Sequence, residues 1–187
     1  MMSLMDLFHG NPFKPMMAKL EAKLVDSPDW LYERKLDGYR ALGYTNGNAK
    51  LISRNDKDFS DDYRKITTEL KLIPKPAIID GELVVEDKHG KSNFQDIQNY
   101  KGDTDKLKLK YYVFDLLSLD GKDLRETELI KRKQMLKELL AAANTTVIVY
   151  NEHNEGKGTL LFAKAEKEGW EGVIGKDEHS YYESGKR

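Results

Sequence analysis

A lysine attacks an electrophile only as its neutral amine. With an ordinary pKa of about 10.4, only about one lysine in 2,500 is neutral at pH 7. A lysine meant for chemistry therefore needs unusual company. Lys35 has it: within "WLYERKLDGYRALGY" (residues 30–44) it lies among Glu33, Arg34, Asp37 and Arg40, followed by an Asp37-Gly38 turn. Two readings are open, a solvated hairpin tip and a nucleophile presented by a turn. The same pairing of charge with glycine recurs at "IDGEL" (79–83) and "WEGVIGK" (170–176), beside "SRND" (53–56) and "YVFDLL" (112–117). Glycine at such points permits sharp turns and close backbone approach to a ligand. Taken singly, each is also ordinary turn chemistry.

These residues must be held by elements that the pattern predicts. Strands at 30–35 and 39–44 flank Asp37-Gly38, and Asn46-Gly47 predicts a type I′ hairpin into a strand at 49–53. An extended lead-in around Pro12 and Pro15 precedes a short helical stretch near 18–24. "DFSDDYRKITTELKLIPKP" predicts a helix with Ser60 as its N-cap and Pro74 beyond its end. "AIIDGELVVE" predicts a strand interrupted at Asp80-Gly81, and Ser92 with Gln95 has capping-box spacing. In "LKYYVFDLLSLDG", alternation puts Tyr112, Phe114 and Leu116 on one face and Val113, Asp115 and Leu117 on the other. Asp115, polar in an apolar strand, requires a partner the sequence does not name. The clearest helix follows, with Leu129, Ile130, Met135, Leu136, Leu139 and Leu140 as its apolar stripe. A strand at 146–150, a helix over 158–168 stopped by Gly169 and a strand at 172–176 complete the order. Trp170 is expected in the core, and the alternating lysines of 106–110 on an edge strand in preference to a DNA-facing patch. Hairpin-joined strands interspersed with helices predict an α+β fold with largely antiparallel sheets.

The 187 residues fit one domain, 1–187. Charged residues make up 34% and hydrophobic ones 39%, with no apolar run long enough for a membrane span and no signal-peptide pattern at the start. A cytoplasmic, monomeric protein is the expectation. Zero cysteines and four scattered histidines argue against disulfides and zinc, leaving a hard, oxygen-bound ion as the metal to expect. The net charge of −1 does not advertise nucleic-acid binding, although 31 Lys and Arg residues can still line one face.

Taken in order, "KPM" (14–16), E-x-K-x-D-G-x-R (33–40), S-R-N (53–55), D-G-E-L (80–83), V-F-D-L-L (113–117) and E-G-V-x-x-K (171–176) resemble the covalent nucleotidyltransferases. The resemblance is to ATP-dependent DNA ligases, and most closely to the ligase domain of bacterial end-joining ligases; RNA ligases and mRNA capping enzymes are relatives. It covers about residues 12–187. It implies an ATP-grasp-like nucleotidyltransferase (adenylation) domain with a nucleotide pocket between antiparallel sheets flanked by helices. The cofactors it implies are ATP and Mg²⁺ or Mn²⁺, and the DNA partner is a nicked duplex.

By that resemblance Lys35 takes AMP from ATP, with Lys176 and the bound metal as the cations that lower its pKa. Arg40 and Arg54 contact the sugar, the phosphates and DNA, Glu82 holds a ribose hydroxyl, and Phe114 stacks on adenine. Glu33 faces the adenine amino edge, Lys176 binds phosphate, and Glu171 supports the metal. The plainer alternatives are surface arginines at a strand edge, a solvent-facing Glu82 and a core Phe114. The family continues with a W-x-K-x-K element and an OB-fold domain. Neither follows "YYESGKR", so the chain is expected to end inside a longer protein and to be impaired alone. Competing functions are an RNA ligase, a capping-type transferase, and a nucleotide- or DNA-binding module without catalysis.

Overall fold

The computed structural model describes residues 13–21, 26–45, 47–104 and 106–186. Nine strands and four helices are found among them, in the order β1 (Trp30–Lys35), β2 (Tyr39–Tyr44), β3 (Lys50–Ser53), α1 (Arg64–Leu70), β4 (Ala77–Asp87), α2 (Phe94–Gln98), β5 (Leu107–Leu119), β6 (Lys122–Asp123), α3 (Leu129–Ala141), β7 (Ile148–Tyr150), β8 (His153–Glu155), α4 (Gly158–Glu168) and β9 (Gly172–Asp177). The fold is α+β, as the pattern predicts.

Two sheets carry the site. The smaller is antiparallel with the order β8-β1-β9, so β1 is held on both edges. The larger runs β3-β2-β4-β5-β6, with β7 added parallel to β5 as its one parallel pair. β1 and β2 therefore do not pair: the chain leaves one sheet at Lys35 and enters the other at Tyr39. The hairpin-tip reading of Asp37-Gly38 falls, because those residues are the crossover between sheets. Two contacts hold the crossover. The Asp37 carboxylate accepts the Phe94 N–H at 3.2 Å, tying it to the start of α2. A Cβ on Gly38 would lie 1.9 Å from the Leu83 carbonyl oxygen, so only glycine lets the crossover lie against β4.

The main core packs one face of the large sheet (Ala41, Leu51, Ile79, Leu83, Tyr111, Val113 and Leu116) against Ile66 and Leu70 of α1 and Leu136 and Leu139 of α3. A second cluster on the other face joins Phe13, Leu42, Tyr44, Ile78, Leu117 and Tyr182. The lead-in and the last described residues are bonded together there: Met17 N–H donates to the Lys186 carbonyl at 2.8 Å and Gly185 N–H to that of Lys14 at 3.2 Å.

Several local expectations change. β4 runs unbroken through Asp80-Gly81, and the irregularity falls on its partner. Gly81 stands opposite Val113 and Asp80 opposite Asp115, leaving Phe114 as an extra residue; Leu117 is a second one, between Leu116 and Ser118. These bulges overturn simple alternation, so Val113 and Leu116 share the main core while Leu117 joins the other cluster. α1 begins at Arg64 and not after Ser60, whose Oγ accepts the Leu51 N–H at 3.0 Å instead of capping the helix. The cap of α2 is Asn93, accepting Asp96 N–H at 3.0 Å, one residue after the expected Ser92. Residues 18–21 carry no helix, and 22–25, Pro12 and Asn46 lie outside the described residues. The lysines at 106 and 108 face solvent as expected, although β5 becomes interior where β7 joins it. Trp170 is half-buried outside both clusters, with Arg34 and Lys164 at 5.0 and 5.3 Å from its ring.

Candidate active site at the junction of the two sheets

β1 and β9 pair in the register Lys35↔Gly172, Glu33↔Ile174 and Leu31↔Lys176. Residues two apart on a strand share a face, so Glu33 and Lys35 project together, with Lys176 on the same face of β9. At the open end of the pair, Glu171 closes on Lys35 in an ion pair, each side chain 39% exposed. Deeper in, the Glu33 carboxylate is 1% exposed and fully engaged. It accepts from Lys133 of α3 at 2.7 Å on one oxygen, and from Lys176 at 2.8 Å and Asn151 at 3.3 Å on the other. Burial pushes this carboxyl up, but Lys176 and Lys133 together outweigh it and hold it below the ordinary carboxylate range.

The large sheet supplies the opposite wall. Arg40 on β2 stands across from Glu82 on β4, which stands across from Tyr112 on β5. Arg40 forks onto Asp80, Nε to Oδ1 at 2.5 Å and Nη2 to Oδ2 at 2.7 Å, and Tyr182 donates its hydroxyl to the same carboxylate at 2.5 Å. Burial works against the guanidinium charge, yet Asp80 outweighs it and keeps Arg40 firmly protonated. Glu82 has no such partner, and burial pushes its carboxyl up to about 7 against the pull of Arg40. The bulge turns the Phe114 ring toward the small sheet, where Arg40 and Lys176 both lie 4.4 Å from its centroid. Lys176 thus spans the two walls.

Seven of the eight sequence-predicted residues, Glu33, Lys35, Arg40, Glu82, Phe114, Glu171 and Lys176, line this junction. Arg54 is exposed at the end of β3, joined to the site through its backbone N–H, which donates to the Arg40 carbonyl at 3.0 Å. Sequence reading missed Lys133, Asn151, Asp80 and Tyr182. Lys133 and Arg132 occupy the buried stripe of α3 that the apolar period assigned to hydrophobic residues. Arg132 is the partner that Asp115 required, bonded to it at 2.7 and 2.9 Å. The unpaired acid in "VFDLL" was the signal that a buried cation had to exist. An open cavity of about 350 Å³ lined by Asp123, Arg125, Glu126 and Tyr182 includes none of the predicted residues.

For a divalent ion, Glu171 offers one accessible hard oxygen donor beside Lys35, which suits Mg²⁺ or Mn²⁺ completed by phosphate and water. Bound there, the ion would supply charge neutralisation at phosphoryl oxygens.

Fold and site together define an α+β nucleotidyltransferase domain. The family model for the ATP dependent DNA ligase domain matches residues 15–187, and the chain belongs to that family. It is 37% identical over 165 residues to the multifunctional non-homologous end joining DNA repair protein LigD of Mycobacterium tuberculosis, covering 87% of this chain and 21% of that protein. To the Pseudomonas aeruginosa LigD it is 34% identical over 178 residues, again 21% of the relative. The chain therefore spans about a fifth of the length of these curated relatives. The crystal structure of the M. tuberculosis LigD ligase domain superposes with a TM-score of 0.83 at 32% identity, covering 94% of this chain and 57% of that one. A mycobacterial DNA ligase D complexed with ATP and MES gives 0.82 at the same identity and coverage. Among the described residues, no helix is long and apolar enough to cross a membrane.

Proposed function

We propose that residues 1–187 are a single adenylation domain serving an ATP-dependent DNA ligase, and that Lys35 carries the AMP. The supporting observation is Lys35 at the end of a doubly paired strand, with Glu171 beside it, Lys176 on the same face of the neighbouring strand and Phe114 across the junction. In this reading the neutral Lys35 amine forms a bond from Nζ to the α-phosphorus of ATP, the bond to pyrophosphate breaks, pyrophosphate leaves, and the proton released from Nζ passes to solvent. Glu171, exposed beside Lys35, would hold the divalent ion, which would supply charge neutralisation at the phosphoryl oxygens. Phe114 offers its ring to adenine, Arg40 and Glu82 face the ribose, and Lys176 meets the phosphate. Arg54, exposed beyond them, suits the DNA backbone. AMP then passes to the 5′-phosphate of nicked duplex DNA, and the 3′-hydroxyl displaces it to seal the nick. A cytoplasmic, monomeric protein with an OB-fold partner domain belongs to the same reading.

Mass spectrometry after incubation with ATP and Mg²⁺ tests it. An AMP-sized adduct on Lys35, absent from Lys35→Ala, is expected. ATP binding without any adduct would make the chain a binding module. Labelling by GTP in preference to ATP would move it to the capping-type transferases.

A further inference from the structure

The two lysines on Glu33 are not equivalent. Lys176 is 22% exposed and has one ion-pair partner, Glu33, besides the face of Phe114. Lys133 is 1% exposed and held from three directions: Glu33 Oε1 at 2.7 Å, the Phe114 carbonyl at 3.3 Å and the Tyr150 ring at 4.8 Å. Only Lys176 is free to turn toward a ligand in the junction. If it does, Glu33 loses one of its two compensating cations while remaining buried.

We propose that Lys133 is a positioning residue of the nucleotide pocket: it anchors Glu33 and the Phe114 backbone together, so that Lys176 can leave Glu33 for nucleotide phosphate without stranding a buried carboxylate. This rests on the adenylation reading above. Charge counting carries it. Glu33, Lys133 and Lys176 sum to +1 without ligand, and departure of Lys176 leaves a neutral Glu33–Lys133 pair. Without Lys133 the ligand-free cluster is the neutral Glu33–Lys176 pair, which is tolerable, but the departure of Lys176 then leaves a lone buried anion. A buried charge without a partner is strongly disfavoured, so Lys176 stays on Glu33 and phosphate binding suffers. Lys133 also links the walls, since Glu33 belongs to the small sheet and the Phe114 carbonyl to the large one.

The test is equilibrium binding of ATP, with the thermal midpoint recorded alongside, for the wild-type chain, Lys133→Met, Lys133→Arg and the double variant Glu33→Gln with Lys133→Met. Lys133→Met is expected to remain folded and to weaken ATP binding by about tenfold or more. Lys133→Arg is expected to retain most of the affinity, because it keeps the charge. The double variant removes the stranded anion, frees Lys176, and is expected to regain much of the loss. Undiminished ATP binding by Lys133→Met, or a double variant as weak as the single one, would overturn the proposal. A wild-type chain that fails to bind ATP would instead sink the adenylation reading, and this inference with it.

Discussion

Asp80 and Asp115 stand directly opposite each other on β4 and β5, both buried, and each carboxylate is closed by its own arginine. Arg40 reaches Asp80 from β2, and Arg132 reaches Asp115 from α3. Like charges facing each other across a sheet are normally destabilising. Here each is neutralised from a different direction, and the bulge that places Phe114 lies between the two registers. One of the two arginines, Arg40, also lies over the Phe114 ring, 4.4 Å from its centroid.

Removing one member of such a pair is predicted to cost far more than removing both. Arg132→Leu leaves Asp115 buried without its bidentate partner, and a loss of roughly 3–5 kcal/mol in unfolding free energy is expected. Replacing Asp115 by leucine as well should recover a large part of that loss. Chemical denaturation of the two variants checks this; equal losses would show that Arg132 acts through its packing alone.

The motif glycines make a different prediction. A Cβ at Gly81 would lie 2.4 Å from the Tyr112 carbonyl oxygen, and one at Gly38 closer still to that of Leu83. Both obstructing atoms are backbone, so neither can swing aside. Gly38→Ala is expected to displace the crossover that presents Lys35, abolishing AMP capture and lowering the thermal midpoint. A Gly38→Ala protein labelled as fast as wild type would refute the close approach.

How much of this was legible depends on what each residue had to satisfy. Strands β1 and β2 were, because the strand-like ends of "WLYERKLDGYRALGY" bracket the Asp37-Gly38 turn. Their assignment to separate sheets was not, since Asp37-Gly38 serves a hairpin and a crossover equally well. The orientation of Phe114 was hidden because alternation counts one residue per pleat, and the bulge inserts an extra one. Arg132 and Lys133 escaped because a helical stripe is sought among apolar residues, whereas their partners, Asp115 and Glu33, lie 17 and 100 positions away in sequence. Ser60 and Ser92 were good caps in isolation, but Ser60 is drawn to Leu51 and Ser92 sits beside Arg34 at 3.4 Å.

The Lys35–Glu171 pair separates chemistry from stability. Both side chains are 39% exposed, and exposed pairs contribute only about 0–1 kcal/mol. Glu171→Gln is therefore expected to leave the thermal midpoint nearly unchanged while greatly reducing AMP capture at limiting Mg²⁺. Labelling across a Mg²⁺ titration checks it. Wild-type metal dependence in the variant would remove Glu171 from the metal's coordination.

Glu82 offers a pH signature with a definite sign. Its carboxyl rises from an ordinary 4.5 to about 7, driven first by burial and opposed by Arg40. Between those values the folded chain holds a proton that the unfolded chain has released, so this group stabilises the fold fully below pH 4.5. That contribution is lost as pH rises through about 7. Glu82→Gln cannot titrate there. The difference in thermal midpoint, wild type minus variant, should therefore fall from pH 5 to pH 8, with groups that do not interact with Glu82 cancelling in the subtraction. ATP affinity, compared in the same way, should move oppositely, because only the ionised carboxylate accepts from ribose hydroxyls with both oxygens. A flat difference in both measurements would mean that Glu82 is solvated and ordinary, with no part in gripping the sugar.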